Sequence, residues 1–221
     1  MKALIFIICF TLIGFYLNAQ KEIKVKETNT NIGGATNNAL LVTIFEASED
    51  MVKDAWKKQL KGYKAKVSDK KEIFADDALI KDISDNTIDI YSKTETDKDG
   101  NVLLYVAFDL GGAYISSSSH ADKYKTAEKI LREFALNISK EAVNEQIKNA
   151  EKELKKMEGE LNQLVKEKED LENKISGWEK DIENAKKAIS DNEKKQEEQT
   201  KIIEEQKAEL NLIMEKLKQI K

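Results

Sequence analysis

Twenty-three positions from Val143 to Ile220 keep one unbroken 4-3 spacing, and this restricts the C-terminal part of the chain to a long helix. Eighteen of the positions are apolar, and the sequence contains no proline to interrupt them. An average repeat of 3.5 residues keeps one stripe on a constant side, the condition for a left-handed coiled coil. The seam is carried by Ile147, Leu154, Leu161, Leu171, Ile175, Trp178, Ile182, Ile189, Ile203, Leu210 and Leu217. At ~1.5 Å per residue the run would extend about 115 Å, and a lone helix cannot bury its own stripe. The partner is therefore a second copy, a hairpin of the same chain, or another protein.

Flanking charges bear on that choice. Glu151, Glu153, Glu158, Glu160, Glu167, Glu172 and Glu179 flank the first half of the seam against a single Lys174. The second half carries Lys186, Lys195, Lys207, Lys216 and Lys221 against Asp181, Glu193 and Glu209. A parallel pair would set Glu153 against Glu158 and Glu167 against Glu172. An antiparallel arrangement sets the acidic half against the more basic half, although each exposed pair is worth only ~0–1 kcal/mol. The expectation is a homo-oligomer, with a dimer favoured and antiparallel preferred. Mostly β-branched residues at the first seam position and polar layers at Lys168 and Gln196 also lean towards two strands. A fold-back would turn at Ser176-Gly177 or, better, at Ser190-Asp191-Asn192, where Ser190 and Glu193 have the spacing of a capping box.

The N-terminus is of another kind. Met1-Lys2, the apolar run Ala3 to Tyr16 and a small residue at Ala19 read as a secretory signal peptide over residues 1–19. Its apolar run is short of the ~20 residues that span a bilayer, so no membrane span is expected in the mature chain. The only cysteine, Cys9, falls within the leader, leaving a mature chain without thiol chemistry or disulfides. Acidic and basic residues are interspersed, the formal net charge is −4, and no basic stripe offers itself to a phosphate backbone. Nucleic acid is not an expected partner. A secreted or periplasmic location follows.

Residues 20–138 read as an α+β head preceding a coiled coil over 139–221. Ala39 to Phe45 is a β-branched apolar run of strand type. Ser48-Glu-Asp opens a helix through Tyr63 with Met51, Val52, Trp56 and Leu60 at helical spacing. Thr87–Thr94 and Val102–Phe108 flank Asp99-Gly100 as a β-hairpin. Residues 21–27 alternate as an edge strand would, whereas 71–84 fit neither period. A second helix carries Tyr124, Ala127, Leu131, Phe134, Ala135 and Ile138 on one face, with Ser116 to Ser119 as candidate caps. It runs into the heptads without a break. The fold expected is a mostly antiparallel sheet with two helices, continuing into the long C-terminal helix.

Two segments could carry chemistry. Glu95, Asp97 and Asp99, followed by Gly100, have the spacing of the front half of a calcium loop, but Val106 stands where the twelfth-position glutamate belongs. A solvated hairpin tip is the plainer reading. Asp109 to His120 joins a strand to a helix start, and Gly111, Gly112, Ser117, Ser118, Ser119 and His120 form a candidate anion or ligand site. A bulge followed by a cap explains the same residues, and Ile32-Gly-Gly-Ala-Thr36 echoes it, as paired glycine bulges in one sheet would. His120 is the only histidine, no catalytic constellation is evident, and no cofactor is expected.

With its leader ending Asn-Ala-Gln20, its Asn-Ile-Gly-Gly-Ala35 and Asp-Leu-Gly-Gly-Ala-Tyr114 segments and a lysine- and glutamate-rich tail, the chain resembles uncharacterised secreted proteins of Bacteroidota. The resemblance implies an exported bacterial protein and transfers no activity. The function expected is structural: a non-enzymatic exported protein acting through coiled-coil self-association or scaffolding. The alternative is a ligand-binding head, for an anion, calcium or a cell-envelope fragment, carried on a coiled-coil spacer.

Overall fold

The computed structural model describes residues 21–219. The leader reading, Cys9 included, lies outside the described residues, as do Ile220 and Lys221. Two compact units divide the chain between Ala150 and Glu151.

The first unit is built on six strands: β1 (Val25–Ile32), β2 (Ala35–Ile44), β3 (Lys66–Asp69), β4 (Ile73–Ala78), β5 (Ile88–Thr96) and β6 (Val102–Asp109). They form one antiparallel sheet in the order β1-β2-β6-β5-β4-β3. Helix α1 (Glu49–Gly62) follows β2, and helix α2 (Ala121–Gln219) follows β6. The expected hairpin is β5–β6, and the expected edge strand is β1, displaced a few residues along the chain.

Alternation along the strands decides which face is buried. Leu40, Val42 and Ile44 of β2, Leu104, Val106 and Phe108 of β6, and Ile88 and Ile90 of β5 all point to one side and are almost fully buried. Both helices lie on that side. From α1 come Val52, Trp56 and Leu60, and from α2 come Ala127, Leu131, Phe134, Ala135, Ile138 and Ala142. Ser48 caps α1 by accepting from the Met51 N–H at 3.2 Å.

Trp56 lies at the centre of this layer. Its ring meets Phe134 edge-on with centroids 4.9 Å apart, so the two helices touch through it. Its indole N–H donates to Ser92 Oγ at 2.8 Å, and that hydroxyl donates to the Ile73 carbonyl at 3.3 Å. Ser92 is the one buried polar residue of the described core, and the tryptophan accounts for it.

The segment 71–84 fits neither period because β4 is irregular. Pairing with β5 is regular from Ile73 to Ala75 and resumes at Ala78, with Asp76 and Asp77 bulged out between. Asp77 takes a positive φ of 58°, held by its N–H donating to Asp89 Oδ1 and by the Thr87 hydroxyl donating to its carboxylate. An inserted residue shifts the alternation by one, which hides the strand from a period-two search.

Helix α2 is continuous through both expected turning points, Ser176-Gly177 and Ser190-Asp191-Asn192, so neither turns. Glu151 to Gln219 alone rises roughly 100 Å at about 1.5 Å per residue. The large apolar stripe residues are open to solvent, from 38 % exposed at Val143 to 70 % at Leu217. No helix among the described residues is long and apolar enough to cross a membrane.

The core makes a sharp prediction. Ser92→Ala strands the indole N–H without an acceptor and should cost about 1–3 kcal/mol in urea denaturation. In a Trp56→Phe background the same substitution should cost far less. Equal costs in both backgrounds would show that the bond contributes nothing.

Candidate functional site

The structure draws the two glycine segments together on the sheet face opposite the helices. Gly33 and Gly34, with φ of 65° and 82°, form the two-residue turn between β1 and β2. Gly111 and Gly112, with φ of 98° and 105°, turn the chain after β6 so that Tyr114 bridges back to Asp109. Both pairs are turns and neither is a bulge, which corrects the expectation from sequence. A Cβ on Gly33 would lie 2.6 Å from the Tyr114 hydroxyl and 3.3 Å from the Tyr91 ring. Tyr91 in turn stacks on Phe74 with centroids 4.7 Å apart. Tyr91 and Tyr114, together with Tyr105, cover Ile32, Ala39 and Ala107, a small second core. Burial raises the phenol pKa of both Tyr91 and Tyr114, assisted at each by nearby carboxylates.

Carboxylates of the chain itself occupy the donors of this region. Asp109 Oδ1 accepts from the N–H groups of Gly111 at 3.0 Å and Gly112 at 2.6 Å. Glu72 accepts from the Gly33 N–H with both oxygens at 3.1 Å. Glu27 on edge strand β1 accepts from the Ser117 N–H at 2.9 Å, from the Ser117 hydroxyl, and from the Asn38 amide at 2.9 Å. Burial pushes the Glu27 pKa up, but the Ser117 and Asn38 hydrogen bonds outweigh it and hold the carboxyl below its ordinary value.

The serine run does not cap the helix as expected. Ser116 Oγ accepts from the Ser119 N–H at 3.1 Å and closes a turn ahead of it, with its hydroxyl 3.3 Å from that of Ser118. His120 is the residue from which α2 starts, its carbonyl accepting from Tyr124 N–H at 2.8 Å. Its Nδ1 is buried and meets no hydrogen-bond partner. Of the six residues proposed for ligand binding, Gly111, Gly112 and Ser117 donate to carboxylates, Ser118 and Ser119 belong to the turn, and His120 begins the helix.

At the hairpin tip, Asp97 organises the turn. Oδ1 accepts from the N–H groups of Asp99 and Asn101, both at 2.9 Å, and the Asn101 amide reaches both oxygens. The Asn101 side chain is the leading cause of an Asp97 pKa below the ordinary value. Glu95 accepts from Lys93 Nζ at 2.9 Å. Among the described residues no three His, Cys, Asp or Glu side chains gather as a metal-binding group.

Sequence reasoning missed an apolar groove of about 460 Å³ beside α2, where Ile23, Phe45, Leu136 and Val143 meet Lys21 and Lys140. Phe45 is fixed there by its N–H donating to Ser139 Oγ at 3.0 Å, and Lys21 pairs with Glu46 at 2.5 Å. Leu136, Lys140 and Val143 extend the 4-3 spacing backwards, a signal legible once the heptads are continued upstream. The residues that α2 buries in the sheet, Ala127, Leu131, Phe134, Ala135, Ile138 and Ala142, fall on the opposite side of the helix. Leu136, Lys140 and Val143 thus lie on the side of α2 turned away from the sheet.

No known protein family, curated protein or solved structure matches the chain.

The Glu27 contact predicts a pH dependence. Because the folded carboxyl titrates below its unfolded value, its contribution is present above the unfolded pKa and is lost as pH falls through the folded one, from about pH 5 downward. Discounted for solvent exposure, it should be worth about 1 kcal/mol. Denaturation midpoints of wild type should fall over this window more steeply than those of Glu27→Gln. Parallel profiles would contradict the contact. Gly33→Ala, which faces both a positive φ and the Tyr114 hydroxyl, should cost at least about 1–2 kcal/mol.

Proposed function

We propose that this is a non-enzymatic structural or interaction protein, exported to the periplasm or beyond, that self-associates through the heptad stripe of α2. One observation carries the reading: an uninterrupted helix exposes an apolar stripe for its whole length past the head. Ile147, Leu154, Leu161, Ile175, Trp178 and Ile182 are each about half exposed or more. Covering a large aliphatic side chain stabilises by roughly 1.5–3 kcal/mol when complete, so even partial covering over many layers exceeds the cost of association. Among the described residues α2 does not fold back on itself.

The alternative of a ligand-binding head has less support at the 109–120 loop. The N–H groups of Gly111, Gly112, Ser117 and Ser119 already donate to oxygens of the chain itself.

Analytical ultracentrifugation decides the matter. The purified protein should sediment as an assembly that dissociates on dilution, and Ile175→Asp with Ile182→Asp should give a monomer whose head unfolds at an unchanged urea midpoint. A wild-type protein that stays monomeric at every attainable concentration would overturn the reading.

A further inference from the structure

Resting on that reading, we infer that the occupant of the stripe is a second copy of this chain running antiparallel, in the register that places the two-fold axis beside Lys180. Three features support this arrangement: the first two favour the antiparallel orientation over the parallel one, and the third also bears on the register. The first is the polar layer. Lys168 and Asn192 both sit on the seam, and here they fall opposite one another, so the amide of Asn192 meets the stem of Lys168. In the single helix Lys168 Nζ already leans away to Glu172 at 3.3 Å, and Asn192 Oδ1 accepts from the Gln196 amide at 2.6 Å. Both therefore have polar partners within their own helix when the layer closes. A parallel dimer sets Lys168 against Lys168 on the seam, placing like charges face to face.

Size is the second. The antiparallel register puts Ala150 opposite Leu210 and Ala185 opposite Ile175, matching small with large, and sets Trp178 against Ile182 and not against its own copy. In a parallel pair Trp178 meets Trp178 while Ala150 and Ala185 each meet themselves, so one layer is overfilled and two are hollow.

Third come the flanks. Antiparallel helices oppose like-named flanking positions, which gives Glu151–Lys207, Glu167–Lys195 and Glu172–Lys186, each formed twice. Against them stand Glu153–Glu209, also formed twice, and Glu179 and Asp181 each meeting its own copy at the axis. Unlike pairs prevail. In the parallel arrangement Lys174–Glu179 and Asp181–Lys186 are outnumbered by Glu153–Glu158, Glu167–Glu172 and Lys216–Lys221. Sliding the antiparallel partner by one heptad either way balances like against unlike, so charge favours this register over its neighbours. A slide of three heptads pairs the charges better still, but it leaves the stripe from Val143 to Met157 uncovered and sets Lys168 against Ile213.

Cysteine cross-linking of the full chain carrying Cys9→Ser tests the inference, because Leu171 and Ile189 share a layer. Leu171→Cys and Ile189→Cys chains, each oxidised alone, should stay uncross-linked in denaturing gels, whereas an equal mixture should give a disulfide-linked dimer. Dimers of Leu171→Cys alone would establish a parallel pair and overturn the orientation while leaving self-association intact. Leu171→Cys linking more efficiently to Ile182→Cys or Gln196→Cys than to Ile189→Cys would overturn the register. A chain that is monomeric by ultracentrifugation would remove the self-association on which the inference rests.

Discussion

The head depends on covering one apolar face of an antiparallel sheet, and that face is too broad for a single helix. α1 supplies part of the cover and the first turns of α2 supply the rest. Trp56 fixes both at once, through its edge contact with Phe134 and its hydrogen bond to Ser92. A buried hydroxyl in a sheet centre costs stability unless it is satisfied, and here donor and acceptor are both used. Because that face is buried and the strands alternate, a register slip in the central strands would carry leucines and isoleucines into solvent.

Much of this was legible in the sequence. The β-branched run at 39–45, the Ser48 cap, the Asp99-Gly100 hairpin and the face running from Ala127 to Ile138 each combine local propensity with a clear period, and each is present. Strand β4 escaped because its bulge breaks the alternation, and β3 because four residues are too few to show one. The extent of α2 followed from the absence of helix breakers. The two apolar stripes on its first turns did not, since stripes on opposite sides of one helix look like a single richly apolar segment until their phases are compared.

The glycine segments were legible as special but not as neighbours. Nothing in the spacing of Gly33 and Tyr114 tells that one lies beneath the other, because that contact comes from the order of strands in the sheet. Nor did sequence show that the loop after β6 is saturated by Asp109 and Glu27. Glycine-rich turns leave backbone N–H groups unpaired, and acidic residues on neighbouring strands answer them as readily as an external anion could. Telling the two apart requires the sheet.

The position of α2 in the chain also bears on how the protein is made. Strand β2 pairs with β6, some sixty residues downstream, and the α2 segment that seals the sheet, Ala127 to Ala142, comes later still. A chain emerging N-terminus first therefore carries an uncovered apolar sheet face until that segment follows, a period when association with other chains is most damaging. The same stretch that closes the head also opens the heptad stripe. The exposed stripe thus emerges after the residues that bury the core of the head.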